Sequence, residues 1–247
     1  MMGGVGSRFG ADIPKQFTIV DEKPLFTYIV KKLAKQNVIT GIVVVVNSAW
    51  LEYTNEWIEK LGIEKIISVV SGGSTRSDSV FNGLKALKGI ANDNDPVLMH
   101  DATHPYVDEK GTKEVAEMVA QYGSATLASL NYDTTYLMDD DNNIVKVIPR
   151  RNVIAGASPE GFRFKQIYDI YDQTPEEDME KMTSVGAIAL AHNIPMKVVP
   201  TPVLNLKITY PEDMKLFLKY LLICISTERY IEILSQRYFT FRLFITV

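Results

Sequence analysis

Ile66-Ile67-Ser68-Val69-Val70-Ser71-Gly72-Gly73-Ser74-Thr75-Arg76-Ser77-Asp78-Ser79-Val80 changes character twice in one short stretch. Ile66 to Val70 is apolar and β-branched, the composition of a buried strand. Two glycines and a run of hydroxyls break it, and a helical pattern runs from Ser77 to Leu87. A glycine turn at the carboxyl end of a strand is where open α/β sheets bind ligands. Backbone groups at Gly73 and Ser74 could read a base edge there, and the Ser79 hydroxyl could hydrogen-bond it. The same residues also suit a plain strand-to-helix turn capped by Ser74 or Ser77.

The pattern repeats on both sides. Ile42 to Val46 is β-branched throughout and apolar on both faces, and Val97 to Met99 reads the same way. Helical periodicity covers Pro24 to Gln36, Leu51 to Leu61 and Lys110 to Tyr122, with Pro24 suited to a first turn. Alternation of this kind predicts an α/β sandwich with a mainly parallel sheet. Short strands follow at Ala125 to Leu130, Thr134 to Met138 and Ile144 to Ile148. The last two flank Asp139-Asp140-Asp141-Asn142-Asn143, so a β-hairpin arm is expected over about 131–150. The acidic turn is not an EF-hand, because Ile144 and Arg150 stand where its glycine and glutamate belong. Helices are expected over Gly161 to Asp172, Ser184 to His192 and Pro211 to Leu222, and a strand over Met196 to Val199.

With 247 residues the chain suits one large domain, or a domain with an arm. It is 46% hydrophobic and 23% charged, which is no composition for a disordered chain. A net charge of −4 argues against general nucleic-acid binding. The lone cysteine, Cys224, fits a reducing compartment. With no apolar leader and no apolar run of membrane-spanning length, the expectation is a soluble, cytoplasmic protein with no membrane or nucleic-acid partner.

The amino-terminal stretch Gly3-Gly4-Val5-Gly6-Ser7-Arg8-Phe9-Gly10 suits close backbone approach to phosphates, with Arg8 inside it and Lys15 just beyond. Phe9 occupies the last glycine of a dinucleotide fingerprint, and no Walker Gly-Lys-Ser/Thr is present. What remains is either a triphosphate grip with two cations or a glycine turn with two solvated ones. Such a loop ordinarily follows a buried strand, so a first strand is expected to be missing. The stretch 223–247 is too apolar for a free tail.

Two further stretches lie near strand ends. In His100-Asp101-Ala102-Thr103-His104-Pro105, Asp101 is placed to hold Mg²⁺ against phosphate oxygens. Pro105 argues against a helical histidine pair on zinc. In Asn205-Leu206-Lys207-Ile208-Thr209, Lys207 can reach an anion or stand as a solvated edge lysine.

These motifs, in this order from Gly3 to about Leu222, resemble the cytidylyltransferases that act on polyol phosphates, whether 2-C-methyl-D-erythritol 4-phosphate or D-ribitol 5-phosphate. The resemblance implies a Rossmann-like nucleotidyltransferase domain over 1–222 with a carboxyl-terminal extension, 223–247. It also implies a homodimer in which the arm reaches the partner's site. Gly3, Gly4, Gly6, Arg8 and Lys15 would hold the CTP triphosphate. Gly73, Ser74 and Ser79 would surround cytosine and ribose, and Asp101 would bind Mg²⁺. Thr134, Arg151, His104 and Lys207 would hold the polyol phosphate, with Arg151 donated across the dimer. Arg8, Lys15 and Lys207 would carry the transferring charge. Three positions depart from the family's pattern: His104 replaces an arginine, Ser158-Pro159-Glu160 replaces Thr-Pro-Gln, and Thr183-Ser184 replaces Thr-Asp or Ser-Asp. The alternatives are a non-catalytic CTP-binding homologue and a sugar-phosphate nucleotidyltransferase. The ordered His100–Pro105 and Asn205–Thr209 motifs argue against the latter.

Overall fold

The β-branched runs do form the strands, and a computed structural model shows how they are arranged; the structure describes residues 13–180 and 184–219. A short pair, β1 (Ile19–Val20) and β2 (Lys23–Pro24), leads into α1 (Leu25–Ala34), with Pro24 as its N-cap residue. Then come β3 (Ile42–Val46), α2 (Leu51–Leu61), β4 (Ile66–Ser71), α3 (Arg76–Ala86), β5 (Pro96–Met99) and α4 (Glu109–Tyr122). The second half holds β6 (Ser124–Leu130), β7 (Thr135–Met138), β8 (Ile144–Ile148) and β9 (Ile154–Arg163). It continues with α5 (Phe164–Gln173), α6 (Glu176–Glu180), α7 (Val185–Ala191), β10 (Lys197–Pro200) and a helix over 211–219.

The α/β class expected from the sequence holds, with parallel pairs β3–β4 and β6–β10. One strand was not legible: β9 runs antiparallel between β5 and β6. It takes in Gly161 to Arg163, so the helix expected from Gly161 starts at Phe164. Gly161 sits in β9 because it lies against α4: a Cβ there would come within 2.8 Å of Val119 and 3.0 Å of Val115.

Helices cover both faces of the strands. On one side Val80 and Leu84 of α3 pack with Met99, Phe162, Ile167 and Ile188. On the other, Val44 and Val46 meet Phe17, Phe26 and Val30. Leu98 packs with Val115 and Val119 of α4. Burial of this aliphatic and aromatic surface is the main stabilising contribution. The hairpin β7–β8 stands apart, as expected for an arm, closed by Asp139, whose carboxylate accepts from Asp141 and Asn143. It is a turn held by its own polar groups.

Candidate active site

The loop from Gly72 to Thr75 owes its shape to a helix cap. Thr75 and Asp78 form a reciprocal capping box at the start of α3. Asp78 Oδ2 also accepts from the Ser74 hydroxyl at 2.7 Å. That bond and the two backbone and hydroxyl bonds from Thr75, set against some burial, hold the Asp78 carboxyl below its ordinary pKa. Gly73 is needed for close approach, since a Cβ there would lie 2.1 Å from that of Asp78. Ser79, proposed from sequence as a base reader, is 1% exposed. Its hydroxyl donates to Thr75 O at 2.9 Å and accepts from Gly73 N–H at 3.2 Å. Ser79 therefore shapes the loop from below, leaving Ser74 on its surface.

α3 projects Arg76 toward the end of β5. There Asp101 accepts from Arg76 Nη2 at 3.2 Å on one carboxylate oxygen and from Lys207 Nζ at 2.8 Å on the other. Lys207 is carried there by the irregular segment before the last helix, where Ile208 N–H donates to Thr103 O at 2.8 Å. Burial pushes the Asp101 carboxyl up, but Arg76 and Lys207 outweigh it and hold it far below the carboxylate range. Asp101 is an anion at every working pH.

His104 lies against the same carboxylate, its Nδ1 4.0 Å from Asp101 Oδ2 and 2.8 Å from Ser158 Oγ. Ser158 Oγ also accepts from Asp101 N–H at 3.3 Å. Burial lowers His104 to about 4; Asp101 pulls the other way, while Lys207, Arg76 and Lys15 add to the fall. His104 is therefore neutral near pH 7. Phe17, at the end of the short turn that carries Lys15, stacks on Trp50 with centroids 4.3 Å apart. Glu160 completes the cluster, 4.0 Å from Arg76 and accepting from Gly186 N–H at the start of α7. Burial raises its pKa.

Gly73, Ser74, Asp101, His104 and Lys207 thus gather at the carboxyl ends of β3, β4 and β5, with the charge of Lys15 felt at His104. Thr134 and Arg151 do not join them: both are exposed at the base of the arm, and among the described residues no bond links them to Asp101. Gly3, Gly4, Gly6 and Arg8 lie outside the described residues, as do Thr183 and the 223–247 extension. Sequence reasoning missed Arg76, which sat unremarked in the quoted glycine stretch, and noted Glu160 only as an acid standing where the family has glutamine.

Among the described residues no group of three or more His, Cys, Asp or Glu could hold a metal. A lone strand-end carboxylate still fits Mg²⁺ of the kind that takes most of its remaining ligands from nucleotide phosphates and water. At Asp101 such an ion would have to share the carboxylate with Lys207 and Arg76.

Comparison with known proteins agrees with this arrangement. A profile of the 2-C-methyl-D-erythritol 4-phosphate cytidylyltransferase family matches residues 1–222. The 2-C-methyl-D-erythritol 4-phosphate cytidylyltransferase of Thermotoga neapolitana is 33% identical over 218 residues, 87% of this chain and 92% of that protein. A ribitol-5-phosphate cytidylyltransferase of Streptococcus agalactiae serotype Ia is 30% identical over 216 residues, 87% and 90% of the two chains. Among solved structures, the 4-diphosphocytidyl-2C-methyl-D-erythritol synthase of Anaerococcus prevotii superposes with a TM-score of 0.73 at 22% identity, covering 87% of this chain and 93% of that one. The Francisella tularensis 2-C-methyl-D-erythritol 4-phosphate cytidylyltransferase gives 0.69 at 25%, covering 89% and 94%. With its α/β sheet and the strand-end cluster around Asp101, this chain belongs to the 2-C-methyl-D-erythritol 4-phosphate cytidylyltransferase family.

Proposed function

We propose that this chain is a nucleotidyltransferase that moves CMP from CTP to a polyol phosphate, either 2-C-methyl-D-erythritol 4-phosphate or D-ribitol 5-phosphate. The observation that carries the reading is the convergence of Lys207 and Arg76 on one strand-end carboxylate, Asp101, within the family-matched span. An oxygen of the acceptor phosphate attacks the α-phosphorus of CTP in line. The new bond joins that oxygen to phosphorus, and the bond to the β-phosphate oxygen breaks, releasing pyrophosphate. Such a transfer needs two anions held together and their charge neutralised.

Lys15, with Arg8, holds the triphosphate. Lys207 reaches from Asp101 to the acceptor phosphate. Mg²⁺ bound by Asp101 would supply further neutralisation of the phosphate oxygens. The Gly73–Ser74 loop borders cytosine and ribose. Neutral His104 offers the acceptor hydrogen bonds where the family's arginine offers charge. Thr134 and Arg151 come to the acceptor site from a second copy, whose arm closes it, so the working form is a homodimer. The lone Cys224 suits a reducing, cytoplasmic setting. Among the described residues no helix is long and apolar enough to cross a membrane.

The test is pyrophosphate release with CTP and Mg²⁺, offering each acceptor in turn. Turnover with one of them names the branch. A melting shift with CTP and no turnover with either acceptor would instead establish the non-catalytic CTP-binding alternative, which the loss of positive charge at His104 favours.

A further inference from the structure

Two of the departures from the family's pattern, Glu160 and Ser184, stand apart in the sequence and meet in the fold. β9 sets Glu160 opposite Met99, at the end of β5 just before Asp101. Ser184 is the N-cap residue of α7, its hydroxyl accepting from Ala187 N–H at 3.0 Å. Glu160 Oε1 accepts from Gly186 N–H at 3.3 Å, at the same helix start. That approach depends on the glycine: a Cβ on Gly186 would lie 3.0 Å from Glu160 Oε1 and 3.0 Å from Met196 Sδ. β9 thus brings a carboxylate to the start of α7, where Ser184 brings only a hydroxyl. The other carboxylate oxygen faces the site. Glu160 Oε2 is 4.0 Å from Arg76 Nη2, the same nitrogen that donates to Asp101 Oδ1 at 3.2 Å. The Arg76 side chain is long and 37% exposed, and it shares Asp101 with Lys207, which donates at the shorter 2.8 Å. Glu160 is its second anchor, set on a strand rather than a loop. The bond to Gly186 N–H needs only a carbonyl oxygen, which glutamine would supply. The negative charge, kept on a side chain 18% exposed and against the cost of burial, has Arg76 as its use.

We propose that Glu160 is a positioning residue for the transfer: from β9 it supplies the carboxylate that the start of α7 lacks at Ser184, and with it holds Arg76 in register with Asp101. The role rests on the cytidylyl transfer proposed above. Arg76 takes one oxygen of Asp101 and leaves the other to Lys207. An Arg76 free to swing away lets the Asp101 carboxylate turn, and Lys207 turns with it. The loss falls on the transition state, where the transferring charge must be met in place. It does not fall on the binding of two anionic substrates, because the site has lost a negative charge.

Three full-length proteins test this: the parent, Glu160→Gln, and Glu160→Gln with Ser184→Asp. Turnover is measured with CTP, Mg²⁺ and whichever acceptor the parent uses. Glu160→Gln should lower kcat ~10-fold, with neither KM raised and the melt no lower than the parent's. Adding Ser184→Asp should return kcat to within about 3-fold of the parent, because Asp caps a helix as well as Ser and restores a carboxylate to the same helix start. The second readout needs no turnover. It is NMR of the Arg76 guanidinium, assigned by its loss in Arg76→Lys. Rotation about the Nε–Cζ bond should be slow in the parent and the double variant, and ~10-fold faster in Glu160→Gln. Unchanged kcat or unchanged rotation in Glu160→Gln overturns the proposal. So does a fall in kcat that comes with raised KM and a lower melt, or a double variant no better than the single one. Should the double variant not fold, the two readouts on Glu160→Gln decide. A parent silent with both acceptors retires the transfer itself, and the rotation rate then decides whether Glu160 holds Arg76.

Discussion

The cluster around Asp101 and the hairpin arm are built on opposite principles. Asp101 is nearly buried, and each carboxylate oxygen already has a cation. The arm carries apolar side chains on both faces, and most of them are exposed: Tyr136 is 52% exposed, Ile144 64% and Val147 59%. A single chain can complete a charge cluster by folding three strand ends together. It cannot bury both faces of a two-stranded ribbon, and an exposed apolar patch of that kind marks an interaction surface. The cluster is completed within one chain, whereas the exposed arm suits the dimer proposed above, in which a second copy would meet it.

The largest effect is expected inside the cluster. Asp101→Asn leaves Arg76 and Lys207 without their shared anion, and kcat/KM should fall by about 10²–10³, the scale of losing a charged transition-state contact. Lys207→Met should fall as far. Its loss should appear in both acceptor KM and kcat, because the lysine faces the acceptor and the transferring charge. Near-parental turnover in either variant would show that the cluster is a structural ion network. On the arm, Val147→Asp should convert a dimer to a monomer in sedimentation and lower activity by ~10-fold or more through loss of the partner's Arg151. A dimer that persists, or a monomer with full activity, would break the contrast between the two regions.

The contrast also explains what could be read from the sequence. Period and β-branching located β3, β4 and the arm, because those signals are local. Asp101 could be singled out because it closely follows β5, at a strand end where α/β sheets gather ligands; Lys207 follows no strand directly, and only the fold brings it to Asp101. β9 was not readable: Ala157-Ser158-Pro159-Glu160-Gly161 holds a proline and a glycine, and only its position between β5 and β6 makes it a strand. Arg76 was missed, and Glu160 was noted without its partners, for a related reason. Their partners lie 25 and 26 positions away along the chain, at Asp101 and Gly186, so the pairing exists only in the fold. Ser79 was found but given the wrong emphasis, since its burial beneath the loop is a tertiary fact.

Gly73 sharpens the boundary between loop and cluster. Gly73→Ala forces a Cβ into the Asp78 side chain and must displace the capping box. A stability loss of about 1–3 kcal/mol is expected, the range for a forced overpacking, together with weaker CTP binding. Thr75→Ala removes the cap alone and should cost about 1 kcal/mol. If both variants melt alike, the close approach at Gly73 does not constrain the loop. Urea melts with and without CTP separate the two contributions.

The smallest effect tests whether every charge in the cluster helps the fold. Burial raises the Glu160 pKa, although Arg76 and the Gly186 N–H oppose that. An acid whose folded pKa is raised binds more protons folded than unfolded, so stability falls as pH rises from the unfolded pKa through the folded one. His104, lowered to about 4, acts at the other end: its share of stability is present above about 6.5 and is lost as pH falls toward 4. Glu160→Gln keeps an acceptor for Gly186 N–H and restores the residue usual in the family while removing the raised carboxyl. The variant should melt a few degrees higher than the parent at pH 7.5, with the difference closing below pH 4.5, while the acid-side loss owed to His104 persists in both proteins. A variant less stable at pH 7.5 would mean that the Arg76–Glu160 pair outweighs burial. Glu160 would then belong with Asp101, as an anion that the cluster needs.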